Sequence, residues 1–383
     1  MFAPSHIELS RSAYRHNINF IRELVGPDVR VSCVVKGNAY GHGIEKIVPM
    51  IEEAGVGHIS VYNADEALRV VETKSEATDA MIMGAIDDAA LEWAVEHGVE
   101  VSIFENGRLE AMIEAAKEVG EPARVHLQLE TGMNRLGLTE SDLDRTVELL
   151  KANEELVDLE GVCTHFAGAE RVANHVRVTD QFDVYNRRVE QLAARGIEPR
   201  YRHVSSSAAT IAYPYARLDM VRIGILQYGF WPSTERLMGY LGEHDIDSDP
   251  LERVITWKSK VMGTKQVEAG TFVGYGNSYL ARDTMTVALV PVGYADGFAR
   301  SLSNHGRVLI NGHRATVVGK VSMNMLTADV TEVPETAKGD EVVLIGEQGE
   351  ITISVAPFGE RDDLMNYERL TKLSTRIPRE VVE

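Results

Sequence analysis

A chain of 383 residues exceeds one ordinary core and predicts two domains, or one large barrel with an appendage. Its 44% apolar and 25% charged residues are those of a soluble globular chain, and 58 acidic against 39 basic side chains give a net charge of −19. Such a surface repels phosphate backbones and anionic lipid, which disfavours nucleic acid and membrane partners. No apolar run approaches membrane-spanning length. The start, Met1-Phe2-Ala3-Pro4-Ser5-His6, lacks the basic stretch and apolar core of a secretion signal. Cys33 and Cys163 fall in strand-like segments and read as buried thiols rather than a disulfide, which fits a reducing cytoplasm.

Short β-branched runs recur at about 29–35, 57–62, 80–85, 99–104, 123–130, 157–166, 201–206 and 220–229. Helical periodicity fills the gaps, as in Ala64 to Lys74 and in the long segment 174–195. Thr139-Glu140-Ser141-Asp142 has a capping-box pattern ahead of Leu143, Val147 and Leu150 on one face. Eight strand–helix alternations over about 230 residues predict an α/β unit, a (β/α)8 barrel of the TIM type, rather than an open doubly wound sheet. Residues 233–253 are acidic and irregular and read as a linker. From Val254 the texture becomes short strands with turn signals, predicting a mostly-β domain. Asn311-Gly312 between two apolar runs marks a hairpin. The predicted division is a barrel over 1–240 and a β domain over 241–383.

Lys36 closes the apolar run Val31-Ser32-Cys33-Val34-Val35 and opens the turn Gly37-Asn38-Ala39-Tyr40-Gly41-His42-Gly43. In a barrel, chemistry sits at the C-terminal ends of the strands, which is where this lysine falls. An amine in an apolar pocket loses its proton more easily, and the neutral amine attacks carbonyls. The alternative is a lysine that snorkels to the surface. Further polar chemistry beside strands occurs in Thr131-Gly132-Met133-Asn134-Arg135, Cys163-Thr164-His165, His203-Val204-Ser205-Ser206-Ser207 and Met220-Val221-Arg222-Ile223-Gly224-Ile225. In the β domain, Gly274-Tyr275-Gly276 and Gly293-Tyr294-Ala295-Asp296-Gly297 set tyrosines among residues that allow close approach. There is no Gly-x-Gly-x-x-Gly or Walker pattern, and no spaced His/Asp/Glu set that signals a metal.

Taken together, these segments resemble the alanine racemase family from about residue 6 to residue 380, most specifically through Val35–Gly43 and Gly293–Gly297. The resemblance implies a pyridoxal-phosphate isomerase that interconverts L- and D-alanine, supplying D-alanine for cell-wall peptidoglycan in the cytoplasm. It implies that Lys36 holds pyridoxal 5'-phosphate covalently and serves as one of two proton carriers. Tyr275, given by the β domain of the partner subunit, would be the other, so that a homodimer shares its active sites. Removal of a proton from one face of a carbon and delivery to the other needs two such groups. A free phenol loses its proton near pH about 10, so neighbours must assist it. His165 and Arg222 match the residues of that network. Arg222, which offers only donors, would face the pyridine nitrogen and leave it unprotonated.

By the same resemblance, Tyr40, Ser207, Gly224, Ile225 and Tyr367 would hold the phosphate. Arg135 would contact cofactor and substrate carboxylate, Met323 would meet the carboxylate through its amide, and Tyr294 and Arg300 would line the entrance. The sequence departs from the family pattern at three positions. Gln128 stands where a lysine, often carboxylated, is common, Asn324 where aspartate is common and Lys320 where arginine is common. These changes bear on substrate preference, which leaves a broad-specificity or serine racemase as an alternative. A non-catalytic pyridoxal-phosphate-binding protein would lack the β domain that carries Tyr275. A fold-related decarboxylase would place an acid, not Arg222, at the ring nitrogen.

Overall fold

The computed structural model describes residues 3–353 and 365–383. The chain forms two compact units, one comprising Arg15–Ala39 and Ile47–Glu252, the other Met1–Tyr14, Tyr40–Lys46 and Arg253–Glu383.

The first unit holds eight parallel strands: Arg30–Val34, His58–Val61, Asp79–Ile82, Glu100–Ile103, Ala123–Gln128, Val157–Cys163, Tyr201–His203 and Met220–Ile223. The first seven pair in sequence order, and the eighth pairs with the first through Arg30↔Met220 to Cys33↔Ile223. A bridge between Ser206 and Arg222, supported by the Arg222 amide on Ser205 O at 2.9 Å, joins the seventh strand to the eighth and nearly closes a barrel. Helices cover the outside, and His58–Val61 and Glu100–Ile103 are buried at every position although each carries two polar residues, His58 and Ser60 in one and Glu100 and Ser102 in the other. Cys33, Ile59, Val61, Val101, Ile103, Leu127 and Val162 are fully closed to solvent. The expected helices form at Ala64–Thr73 and His175–Ala193, and the Thr139–Asp142 capping box is made. Cys33 and Cys163 are both buried and form no disulfide.

Residues 233–253 differ from the expected linker, because Thr234–His244 is a helix. The Ser233 hydroxyl accepts from Arg236 N and caps its start. Tyr240 meets Phe20 edge to face and Trp231 at a tilt, with ring centroids 5.5 and 5.3 Å away. Those ring contacts dock the helix although it has no fully buried residue.

In the second unit, the described strands run Gly263–Val267, Met285–Val290, Leu326–Asp329, His313–Val317, Arg307–Ile310, Glu341–Gln348, Ile255–Lys260, Ser5–Ser10 and Arg379–Val382 across one sheet. Ile351–Ile353 pairs off the Glu341–Gln348 strand. The hairpin turn falls on Asn311 and Gly312, both at positive φ, as a type I′ turn requires. Ser5–Ser10 joins this sheet rather than the barrel, antiparallel to Ile255–Lys260 and parallel to Arg379–Val382. It is anchored by Ile7 and Leu9, both 0% exposed. Burying two such side chains contributes about 1.5–3 kcal/mol each. No helix among the described residues is long and apolar enough to cross a membrane.

Candidate active site

Lys36 lies two residues past the end of the first barrel strand, and the backbone after it turns left-handed. Gly37, Asn38 and Ala39 have φ of 64°, 56° and 54°, and Tyr40 follows at 52°. A left-handed turn of L-residues costs about 1–2 kcal/mol per residue, so something must hold it. The Glu66 carboxylate does so. Its Oε1 accepts from Gly37 N at 2.6 Å and Asn38 N at 3.3 Å, and its Oε2 accepts from Tyr62 N at 3.0 Å. Arg69 donates to the Asn38 side chain at 2.6 Å, and Ala39 N closes on Val35 O at 2.6 Å. The turn directs the lysine into the barrel mouth. Lys36 keeps an exposed surface there, yet the surrounding walls desolvate its amine. Desolvation first, then repulsion by Arg135 and Arg222, lowers its pKa, with Glu66 acting the other way.

Arg222, on the eighth strand, is 7% exposed. One terminal nitrogen donates to His203 Nδ1 and to His203 O (3.0 Å). The other donates to Thr164 O at 2.7 Å and Val204 O at 3.4 Å. A guanidinium has five N–H groups. Four are thereby engaged, and the Nε–H has no acceptor among the described residues. His165 follows Thr164 and is half-buried. Desolvation, then the charges of Arg222, Lys36 and Arg135, push its pKa down to about 3, so the ring is neutral.

Arg135 lies exposed on the loop after the fifth strand. Glu130 organises that loop by accepting from the amides of Gly132, Asn134 and Arg135. Desolvation raises the Glu130 pKa, but these donors outweigh it and hold the carboxyl below its usual range. Gln128 donates to Leu136 O at 3.1 Å, within the same loop. Ser207 is 4% exposed, and its hydroxyl accepts from Gly224 N at 2.9 Å, which leaves its own proton to be donated. Ile225 opens the short 3-10 turn that follows.

The barrel thus gathers Lys36, Arg135, His165, Ser207, Arg222, Gly224 and Ile225. In the second unit, Tyr40 and Tyr367 pack with centroids 5.9 Å apart. Tyr275 stands 74% exposed between Gly274 (φ 72°) and Gly276 (φ 73°), and Met323 is 56% exposed. Lys320 lies over the same glycine, since a Cβ on Gly276 would come 2.8 Å from Lys320 Nζ. The Arg300 guanidinium sits 5.9 Å from the Tyr294 ring centre. Among the described residues, no group of three or more His, Cys, Asp or Glu is placed to hold a metal ion.

Sequence reasoning passed over Glu66, although it lies three residues after Asn63, the cap of its helix, a spacing that marks a helix start. It also passed over Glu100 and His126, which reach Arg222 through His203 and carry no local signal.

Two family models match, described as "Alanine racemase, N-terminal domain" over residues 9–232 and "Alanine racemase, C-terminal domain" over residues 254–381. An alanine racemase of Halothermothrix orenii is 33% identical over 377 residues, covering 98% of this chain and 96% of that relative. The Bacillus anthracis alanine racemase structure with bound L-Ala-P superposes with TM-score 0.89 at 30% identity, over 100% of this chain and 96% of that one. A Bartonella henselae alanine racemase with covalently bound pyridoxal phosphate gives TM-score 0.82 at 25% identity, over 99% of this chain and 100% of that one. The chain belongs to the alanine racemase family, a family of isomerases.

Proposed function

We propose that this chain interconverts L- and D-alanine using pyridoxal 5'-phosphate bound through the Lys36 amine, in a homodimer whose sites each take Tyr275 from the partner. The observation that carries this reading is the arrangement around Lys36. Its amine has a weakened hold on its proton, and it shares the barrel mouth with Arg135 and Arg222, with Glu66 as the opposing charge. A surplus of positive charge around a nucleophilic amine fits an anionic aldehyde ligand. The covalent cofactor and the L-Ala-P of the two similar structures support the same choice.

The side chains present fit that cofactor. The free Nε–H of Arg222 suits an acceptor nitrogen, and the Ser207 proton suits a phosphate oxygen. The Gly224 and Ile225 backbone would complete phosphate binding on the barrel side. When bound, pyridoxal phosphate supplies an electron sink for negative charge on the substrate α-carbon. Lys36 takes or returns the α-proton on one face, and a lowered pKa makes its neutral form available. Tyr275 serves the opposite face. Its exposure, with that of Phe272, Leu280, Tyr294 and Met323 on the same unit, supports a surface covered by a second subunit. Arg135 pairs with the substrate carboxylate and Met323 meets it through its amide. His165, neutral and without a side-chain bond among the described residues, accepts from the phenol.

Lys36→Ala tests the proposal. The variant should lose both the visible absorption of the bound cofactor and racemisation. Turnover retained in the variant rejects the assignment.

A further inference from the structure

Arg222 is the near end of a buried chain of side chains that crosses the barrel. His203 Nδ1 faces the Arg222 guanidinium, and His203 Nε2 lies 2.9 Å from His126 Nδ1. His126 Nε2 lies 2.7 Å from Glu100 Oε2, at the start of the fourth strand. His58 Nε2 reaches the same oxygen at 2.9 Å, and Arg124 donates to Glu100 Oε1 at 2.7 Å. His126, His203 and His58 are 0% exposed, and Glu100 likewise.

The direction of every bond follows from Arg222. A guanidinium only donates, so His203 Nδ1 must accept and carries no hydrogen. Desolvation first, then the charge of Arg222, pushes the His203 pKa well down, so the ring is neutral with its hydrogen on Nε2. That hydrogen goes to His126 Nδ1. Desolvation also outweighs Glu100 at His126 and keeps it neutral, so its own hydrogen lies on Nε2 and goes to Glu100. Burial raises the Glu100 pKa, but His58 and His126 more than reverse this, and the carboxylate is ionised.

We propose that Glu100, His126 and His203 form a one-way hydrogen-bond relay of fixed tautomers that positions Arg222. Gly161 is the residue that leaves room for it. A Cβ on Gly161 would lie 2.2 Å from His126 Nδ1 and 2.9 Å from His203 Nε2, which are the two atoms of the inter-ring bond. The rings meet edge to face at 82° with centroids 5.0 Å apart, a geometry that a methyl there would wedge apart. The relay also explains how a buried arginine is held with no carboxylate on its nitrogens among the described residues. Its balancing anion stands two imidazoles away, and aligned bonds in a low-dielectric core polarise one another. A carboxylate bound directly would take up the donor that Arg222 presents. The inference rests on the reading of Arg222 as the residue that faces the cofactor ring.

The test uses the holoenzyme labelled with nitrogen-15 in its histidines. His126 and His203 should both show the Nε2–H tautomer and no titration between about pH 5 and 8, the range in which an ordinary histidine changes charge. An Nδ1–H tautomer or a titration of either ring overturns the proposal. Gly161→Ala should shift both sets of ring resonances and lower kcat about 10- to 100-fold with a smaller change in KM, the usual loss when an outer partner is disturbed. Unchanged resonances and kcat in a folded Gly161→Ala protein also overturn it. If that variant fails to fold, the unmodified protein's tautomers decide. Lys36→Ala should lose cofactor while keeping both tautomers. Wrong tautomers beside a Lys36-dependent absorbance would therefore sink the relay alone, and activity independent of Lys36 would sink only the proposed function.

Discussion

The Gly37 amide donates to Glu66 Oε1 at 2.6 Å, and this bond pins the left-handed turn that follows Lys36. Glu66 does two things at once, because it caps the backbone and its charge raises the Lys36 pKa. Glu66→Ala should therefore destabilise the fold by about 1–2 kcal/mol through lost charge-assisted bonds and lower the Lys36 pKa further. Glu66→Gln should recover most of the stability, since one oxygen still accepts, and leave the amine shifted. Urea unfolding midpoints read the first effect, and the pH dependence of cofactor uptake reads the second. Equal stability of all three proteins would remove Glu66 from this role.

Arg135 acts on Lys36 with the opposite sign. Its charge is the largest influence after desolvation that pushes the amine towards the neutral form. Arg135→Gln should raise the Lys36 pKa, so that a carbonyl reagent modifies the amine only at higher pH than in the parent protein. The exposed side chain makes no large contribution to the fold, so the variant should unfold at nearly the same denaturant concentration. A shift to lower pH, or none, would show that the two charges do not share the mouth.

The barrel was legible because its strands are short β-branched runs closed by glycine-rich turns, and Lys36 was legible because an ammonium after such a run is out of place. The left-handed turn showed only as a run of glycines. Its handedness depends on Glu66, which is far away in sequence. Thr234–His244 was hidden in the acidic stretch 233–253, since edge-on and tilted ring contacts at Tyr240, rather than an apolar stripe, hold it. Ser5–Ser10 alternates as a half-buried strand should, but its six residues name no partner, and its sheet lies more than 200 residues away in the chain. Glu100, His126 and His203 come from three strands, so only the folded barrel brings them together.

Acid should unfold the chain through a few buried and half-buried carboxylates. Desolvation raises the Asp79 pKa, but bonds from Arg124 and Arg30 reverse this and hold it low. Arg124 donates to it at 2.7 Å. Burial raises the Glu100 pKa, but His58 and His126 together outweigh it and hold the carboxyl low. As pH falls, the unfolded chain takes up protons at ordinary carboxylate values before the folded chain does. Stability is then complete above those values and is lost as pH drops through the folded ones, below about pH 5. Asp79→Asn should lower stability at neutral pH and flatten its decline in acid. Unfolding free energies measured at a series of pH values would expose an unchanged slope, which would contradict the assignment.

Lys36 and Tyr275 belong to different compact units of one chain, and the proposed chemistry draws them from different subunits. Lys36→Ala and Tyr275→Phe should each leave a folded protein, because one side chain stands in an open mouth and the other is 74% exposed. Each alone should racemise poorly. Tyr275→Phe should keep its cofactor, with α-proton exchange slowed unequally for the two enantiomers. In a hybrid dimer, the lysine of one variant meets the tyrosine of the other, so one site of the two is complete. Random pairing makes half the dimers hybrids, and co-expression in equal amounts should restore about a quarter of the parent activity. Sites built from a single chain would give no restoration, because every lysine-bearing chain would keep its own defective tyrosine. Absent recovery from hybrids verified by mass would therefore refute the shared site while leaving Lys36 untouched.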